Sequence, residues 1–260
     1  TTEGPLARTV ADAALLLDVM TGNQPGDMYT QPPLPGGESF AGFARRDPGR
    51  LRIGRSLIHP VGDGTVHPDC AAAYEEASSL LAGLGHEVED VTPPFGPDVV
   101  PCFETLWYAM ATIAPVAPAD EERLRPLTRY LRERGRSVTA GELMFAQAFL
   151  QIIMRSALPA LNAYDAILTP TLAGPPAEVG YFEQVEPAEN FARQERFTPY
   201  AAICNVSGQP AVNVPLHWTA EGLPIGVMLA GRVGAEGTLI SLSAQLEAAR
   251  PWQHRRPPIW

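Results

Sequence analysis

The chain has 260 residues, 45% hydrophobic and 18% charged, with a formal net charge of −10. That is a globular composition, with room for one large core or two modest ones. The acidic balance excludes nucleic-acid binding driven by phosphate contacts, and no uninterrupted apolar run reaches the roughly 18–20 residues of a bilayer span.

In chain order, Thr9 is placed to cap a helix with Asp12 as its capping-box partner. Val10, Ala13, Ala14, Leu17 and Met20 share one face, and Gly22 is a natural stop. Residues 23–49, rich in Pro and Gly, read as a long surface connection. LRIGRSLI over 51–58 predicts a strand, and His67-Pro68 opens a helix with proline in its first turn. Ala71, Tyr74, Ser78, Leu81 and Leu84 mark the inner face of that helix, which Gly85 ends. HEVEDV over 86–91 follows as a short strand, and strand, helix, strand is the order of an α/β layer. Residues 98–164 read as mostly helical, with Thr139 starting a long helix through Phe149, Ile152 and Leu161. DAILTPT over 165–171 predicts a buried strand ending in a proline turn. Two more strands follow, over 211–215 and 223–231, and then a closing helix over 236–249 with Leu239, Leu242 and Leu246 inward.

Local motifs exclude several chemistries. GxSxG, GxGxxG and HExxH do not occur, and the five histidines (His59, His67, His86, His217 and His254) are dispersed. Cys70, Cys102 and Cys204 form no CxxC pair, so neither a zinc site nor a redox motif is signalled, and a reducing cytoplasm fits them best. All nineteen Lys+Arg residues are arginine. Arginine stays protonated, so a mechanism that needs a lysine base cannot be run by this chain alone.

Two segments and a link between them carry a resemblance. TTEGPLARTVADAALLLDVMTG over 1–22 and FTPYAAICNVSGQPAVNVPLHWTAEGLPIGVMLAGRVGAEGTLISLSAQLEAARPW over 197–252 resemble the amidase-signature family, and DAILTPTLAGPP over 165–176 matches its aspartate-strand-TPT segment. The resemblance implies an α/β fold: a mixed β-sheet flanked by helices on both faces, with residues 1–260 as the C-terminal portion of a single domain. It implies amide hydrolysis by a Ser, cis-Ser, Lys triad, in which a neutral lysine takes the serine proton through the second serine. The family carries all three residues before the GP-ART segment, so none is carried over here; Ser56, Ser137 and Ser207 lack the nucleophile context. What carries over is the opposite pocket wall: Thr169, Pro170 and Thr171 after the buried strand, and Asn205 with Gly208 and Pro210 in the N-x-x-G-x-P pattern. Trp107 and Tyr108 lie where relatives vary their substrate-facing aromatics.

The resemblance implies no metal and no organic cofactor. The expected partners are a small-molecule amide and the N-terminal portion, in the same or another chain, without nucleic acid or membrane. A homo-oligomer is compatible. Alternatives are a split half of a two-chain amidase, or a non-catalytic binding protein derived from the fold. Without its N-terminal part the chain is expected to expose sheet edges and apolar helix faces, and so to self-associate.

Overall fold

The computed structural model describes residues 3–62, 64–94 and 96–256. Helix α1 (Val10–Met20) starts at Thr9, whose hydroxyl oxygen accepts from the Asp12 N–H at 3.0 Å. Only Val10 and Ala14 of the expected face are buried; Met20 is exposed. The long connection contains a short helix, α2 (Phe40–Phe43), that the Pro- and Gly-rich composition around it conceals. Asp18 on α1 holds it by accepting from the Phe40 and Ala41 N–H groups at 2.6 and 2.9 Å, which satisfies two free donors of its first turn.

Strand β1 (Arg52–Arg55) is shorter than the apolar run that encodes it. Helix α3 (Pro68–Gly83) buries Cys70, Ala73, Tyr74, Ala77, Ser78 and Leu81, and β2 (Glu87–Asp90) returns parallel to β1. The central region is helical: α4 (Val100–Met110), α5 (Pro126–Ser137) and α6 (Ala140–Leu161), the last opened by a complete capping box between Thr139 and Glu142. Strand β3 (Ala166–Pro170) follows, then two helices that the sequence pattern does not mark, α7 (Pro187–Phe197) and α8 (Ala202–Ser207). A hairpin of β4 (Ala211–Trp218) and β5 (Pro224–Gly231) leads to α9 (Glu236–Ala249), which spans the expected residues.

The strands form one mixed sheet in the order β2-β1-β3-β5-β4, parallel from β2 to β3 and antiparallel from β3 to β4. Strand periodicity sends alternate residues to opposite faces. Ile53, Ala166, Leu168, Val214, Leu216, Val227 and Leu229 point to one face, where α3 and α9 close the main core. The two ends of the chain clamp this layer: the Trp252 indole N–H donates to the Arg8 carbonyl at 3.0 Å, and the Val10 N–H donates to Glu247 at 3.1 Å.

The opposite face is covered by the α4–α8 group, with α6 packed on α4 and α8, and α5 on α4 and α7. Helix α6 is long and apolar enough to cross a membrane, the one such helix among the described residues. Here its Ala146, Leu150, Met154, Ala157 and Leu161 stripe is buried in protein, while Met144, Phe145 and Ile152 remain exposed.

Candidate functional site

Between the second sheet face and its covering helices lies a cavity of about 310 Å³. Its floor follows from strand alternation. On β3, Ala166, Leu168 and Pro170 go to the core, so Ile167 and Thr169 face the other way. The antiparallel register sets Thr169 beside Met228 and Ile167 beside Ala230, and all four line the cavity. Helix α4 contributes Phe103 and Trp107, α6 contributes Leu150 and Met154, and α7 contributes Phe191, Gln194 and Glu195 at helical spacing. Ile203, Asn205 and Val206 of α8 complete the wall.

Of the residues picked from sequence, Trp107, Thr169 and Asn205 meet at this cavity although they are far apart in the chain. Trp107 is 39% exposed and stacks on Phe103 with ring centroids 5.7 Å apart. Three others are not brought to it. Tyr108, one residue on and so turned about 100° around the helix, is 8% exposed and packs on Phe191, at 5.5 Å between centroids, and on Tyr130. Pro170 is fully buried on the core face of β3. Thr171 leaves the strand and donates its hydroxyl to Asn213 Oδ1. Gly208 ends α8 in the left-handed region at φ 75°, its N–H donating to the Cys204 carbonyl, which is a helix-stop role.

Several polar groups around the cavity are satisfied within the chain. The Ser56 hydroxyl oxygen accepts from the Ile58 N–H, Thr169 donates to the Pro170 carbonyl at 2.9 Å, and Tyr200 donates to the Leu57 carbonyl. The Gln194 amide donates to Asn190 at 2.7 Å, and the buried Gln209 amide donates to the Gly231 carbonyl at 2.8 Å. Glu195 Oε1 is closed off from solvent and accepts no hydrogen bond from the chain, while the carboxyl as a whole pairs with that of Glu104 on α4. Burial pushes the Glu195 carboxyl up to about 7. The negative charge of Glu104 on α4 and a hydrogen bond to it push the same way, against the opposing charge of Arg196. Sequence reasoning misses Glu195 because the charges of FARQERF give no sign of a buried face. The available signal is its position four residues after Phe191, on the same face as that buried ring.

No group of three or more His, Cys, Asp and Glu side chains suited to a metal ion occurs among the described residues. Two of the histidines are engaged structurally: His86 Nδ1 accepts from the Leu51 N–H while Nε2 meets Gln245, and the His59 ring nitrogens lie 2.8 and 2.9 Å from the Val61 and Arg196 carbonyl oxygens. Burial raises the Cys70 and Cys204 thiols to about 11, which suppresses their thiolates near neutral pH.

The profile of the family described as Amidase matches residues 1–240. The chain belongs to the amidase family. It is 33% identical to the 6-aminohexanoate-cyclic-dimer hydrolase of Paenarthrobacter ureafaciens, an alignment that covers 99% of this chain and 55% of that protein. It is 34% identical to a putative amidase, AmiB2, of Mycobacterium tuberculosis, covering 98% of this chain and 54% of the relative. The chain thus spans about half the length of the curated relatives it matches. In structure it resembles 6-aminohexanoate cyclic dimer hydrolase complexed with substrate, with a TM-score of 0.84 at 28% identity over 97% of this chain and 56% of the other. The native peptide amidase of Stenotrophomonas maltophilia shares the fold, with a TM-score of 0.71 at 22% identity over 98% of this chain and 54% of the other.

Proposed function

We propose that this amidase-family chain forms the C-terminal wall of the substrate pocket in an enzyme that hydrolyses a carboxamide to a carboxylate and ammonia or an amine. In this reading Trp107, Thr169 and Asn205 shape the amide-binding cavity. Pro170 anchors the strand that presents Thr169, while Thr171 and Tyr108 hold neighbouring elements in place. The serine pair and the lysine come from an N-terminal portion, in the same polypeptide or a second one. The catalytic serine adds to the carbonyl, the amine leaves with a proton, and water cleaves the acyl-serine ester to the acid and regenerates the serine. A chain without lysine cannot supply the neutral amine that accepts the serine proton. Its share is to bind, orient and exclude water from the amide.

The observation that carries the reading is the convergence of Trp107, Thr169 and Asn205 on one largely apolar cavity in a chain of this family. The test is ammonia release from aliphatic and aromatic carboxamides, measured on the 260 residues alone and together with an N-terminal amidase portion carrying the triad. Turnover is expected only for the combined protein. Hydrolysis by purified 260-residue material, surviving removal of contaminants, would overturn the reading.

A further inference from the structure

The depth of the cavity and its mouth differ in chemistry. Leu150, Met154, Phe191 and Met228 line it and are buried, so they form the depth. Ile58, Trp107 and Asn205 line it and are exposed, so they mark the mouth. The buried lining side chains with polar atoms are Ser56, Tyr200 and Gln209, and each holds a hydrogen bond inside the chain. The Asn205 amide at the mouth makes none among the described residues.

Charge is absent from this lining in usable form. No Arg or His is among the described residues around the cavity, and the chain has no Lys. The acidic lining residue, Glu195, pairs with Glu104, and its Oε1 is closed off. A charged group carried into the depth would give up its water and gain no counter-ion, whereas a hydrocarbon group gains by leaving water. Size sets the other limit. An apolar cavity of about 150 Å³ takes one benzene, so about 310 Å³ has room for roughly ten to twelve carbon atoms. Met154 and Met228 let the wall adjust to the shape of the guest.

We infer that the depth of the cavity holds an uncharged hydrocarbon group while the amide stays at the mouth beside Asn205, so that the favoured substrates are neutral carboxamides bearing an alkyl or phenylalkyl group of roughly six to ten carbons, and chains ending in a charge are rejected. This rests on the amide-hydrolase reading for the word substrate, but the order of binding is measurable without turnover.

The test is calorimetric titration of the full 260-residue chain with butanamide, hexanamide and octanamide. Two further probes, 5-aminopentanamide and glutaramate, have chains of similar length to hexanamide that end in an ammonium and a carboxylate. Affinity should rise about tenfold for each two methylenes added, and both charged probes should bind at least about tenfold more weakly than hexanamide. Ala230, beside Ile167 on the cavity floor, tests the location. Ala230→Leu takes up space in the depth and should weaken octanamide about tenfold while changing butanamide little. Ala230→Val replaces it if circular dichroism shows that the larger side chain prevents folding. Asn205→Ala should weaken all three neutral amides by a common factor of about five and leave the dependence on length unchanged.

Affinity that does not depend on length, or charged probes that bind as tightly as hexanamide, would overturn the inference. So would a length dependence untouched at position 230, because the hydrocarbon would then lie elsewhere, such as on the exposed face of α6. Unchanged affinities in Asn205→Ala would overturn the placement of the amide. Ammonia release is assayed separately, on the 260 residues combined with an N-terminal amidase portion. The expected binding order without cleavage sinks the hydrolase reading and leaves the apolar preference standing; cleavage with no dependence of binding on length does the reverse.

Discussion

Replacing Glu195 with Gln should make the protein less sensitive to pH. In the fold the Glu195 carboxyl is raised to about 7 from an ordinary 4.5, chiefly by burial and then by Glu104. A carboxyl raised on folding favours the neutral form, so the stability tied to that form is complete below about 4.5 and is lost as the pH climbs through about 7. At about 1.4 kcal/mol per tenfold, the ceiling on that loss is roughly 3 kcal/mol. Partial solvent access screens the charge, and the portion falling between about pH 5 and about pH 8 is smaller still, roughly 1–2 kcal/mol. Urea unfolding of wild type and Glu195→Gln at those two pH values reads this portion together with its coupling to Glu104. The wild type should lose roughly 1–2 kcal/mol more than the variant between the lower and the higher pH. Equal pH dependence in the two proteins, or a greater loss in the variant, would refute the claim that Glu195 sits in a site that resists its charge.

Two further perturbations follow from packing. A Cβ added at Gly135 on α5 would lie 2.1 Å from the Tyr108 carbonyl oxygen and 2.7 Å from Thr112 Cγ2, so α4 and α5 would have to separate. Gly135→Ala should cost about 1–3 kcal/mol. Gly83→Ala, where nothing lies within 4 Å, should be neutral or stabilising by up to about 1 kcal/mol; thermal midpoints that move the same way in both variants would contradict this account. The 260 residues on their own should associate in sedimentation velocity through Met144, Phe145 and Ile152 of α6 and Leu15, Leu16 and Val19 of α1, all exposed. Phe145→Gln with Ile152→Gln should shift the distribution toward monomer, whereas a monomeric wild type with a cooperative thermal transition would show that these faces need no cover.

How much of this is legible in the sequence depends on whether the local signal and the tertiary context agree. Helix α9 is readable to its ends because Leu239, Leu242 and Leu246 repeat at helical spacing against a sheet that needs them buried. Strand β3 is readable because it is a short apolar run closed by proline. For α1 the spacing misleads: an apolar stripe is present, but the surrounding elements bury only Val10 and Ala14. Helix α7 escapes notice because Arg193, Glu195 and Arg196 hide a face on which Asn190 and Phe191 are buried. At the candidate site, residues that the family resemblance singles out divide by geometry. Thr169 and Pro170 are neighbours on one strand, and alternation alone sends the first to the cavity and the second to the core.

That alternation ties stability and function to the same backbone. Slipping β3 by one residue against β5 would carry Leu168 into the cavity and Thr169 into the core, so the register that buries Leu168 opposite Leu229 is also what presents Thr169 beside Met228. The two faces are then finished differently. On the α3 and α9 side, apolar side chains close completely, and Leu168, Leu229, Leu242 and Leu246 are fully buried. On the α4–α8 side the helices stand off and leave about 310 Å³. A chain optimised for folding alone would fill that space. Keeping it open costs stability, and a ligand that fills the space recovers part of that cost on binding.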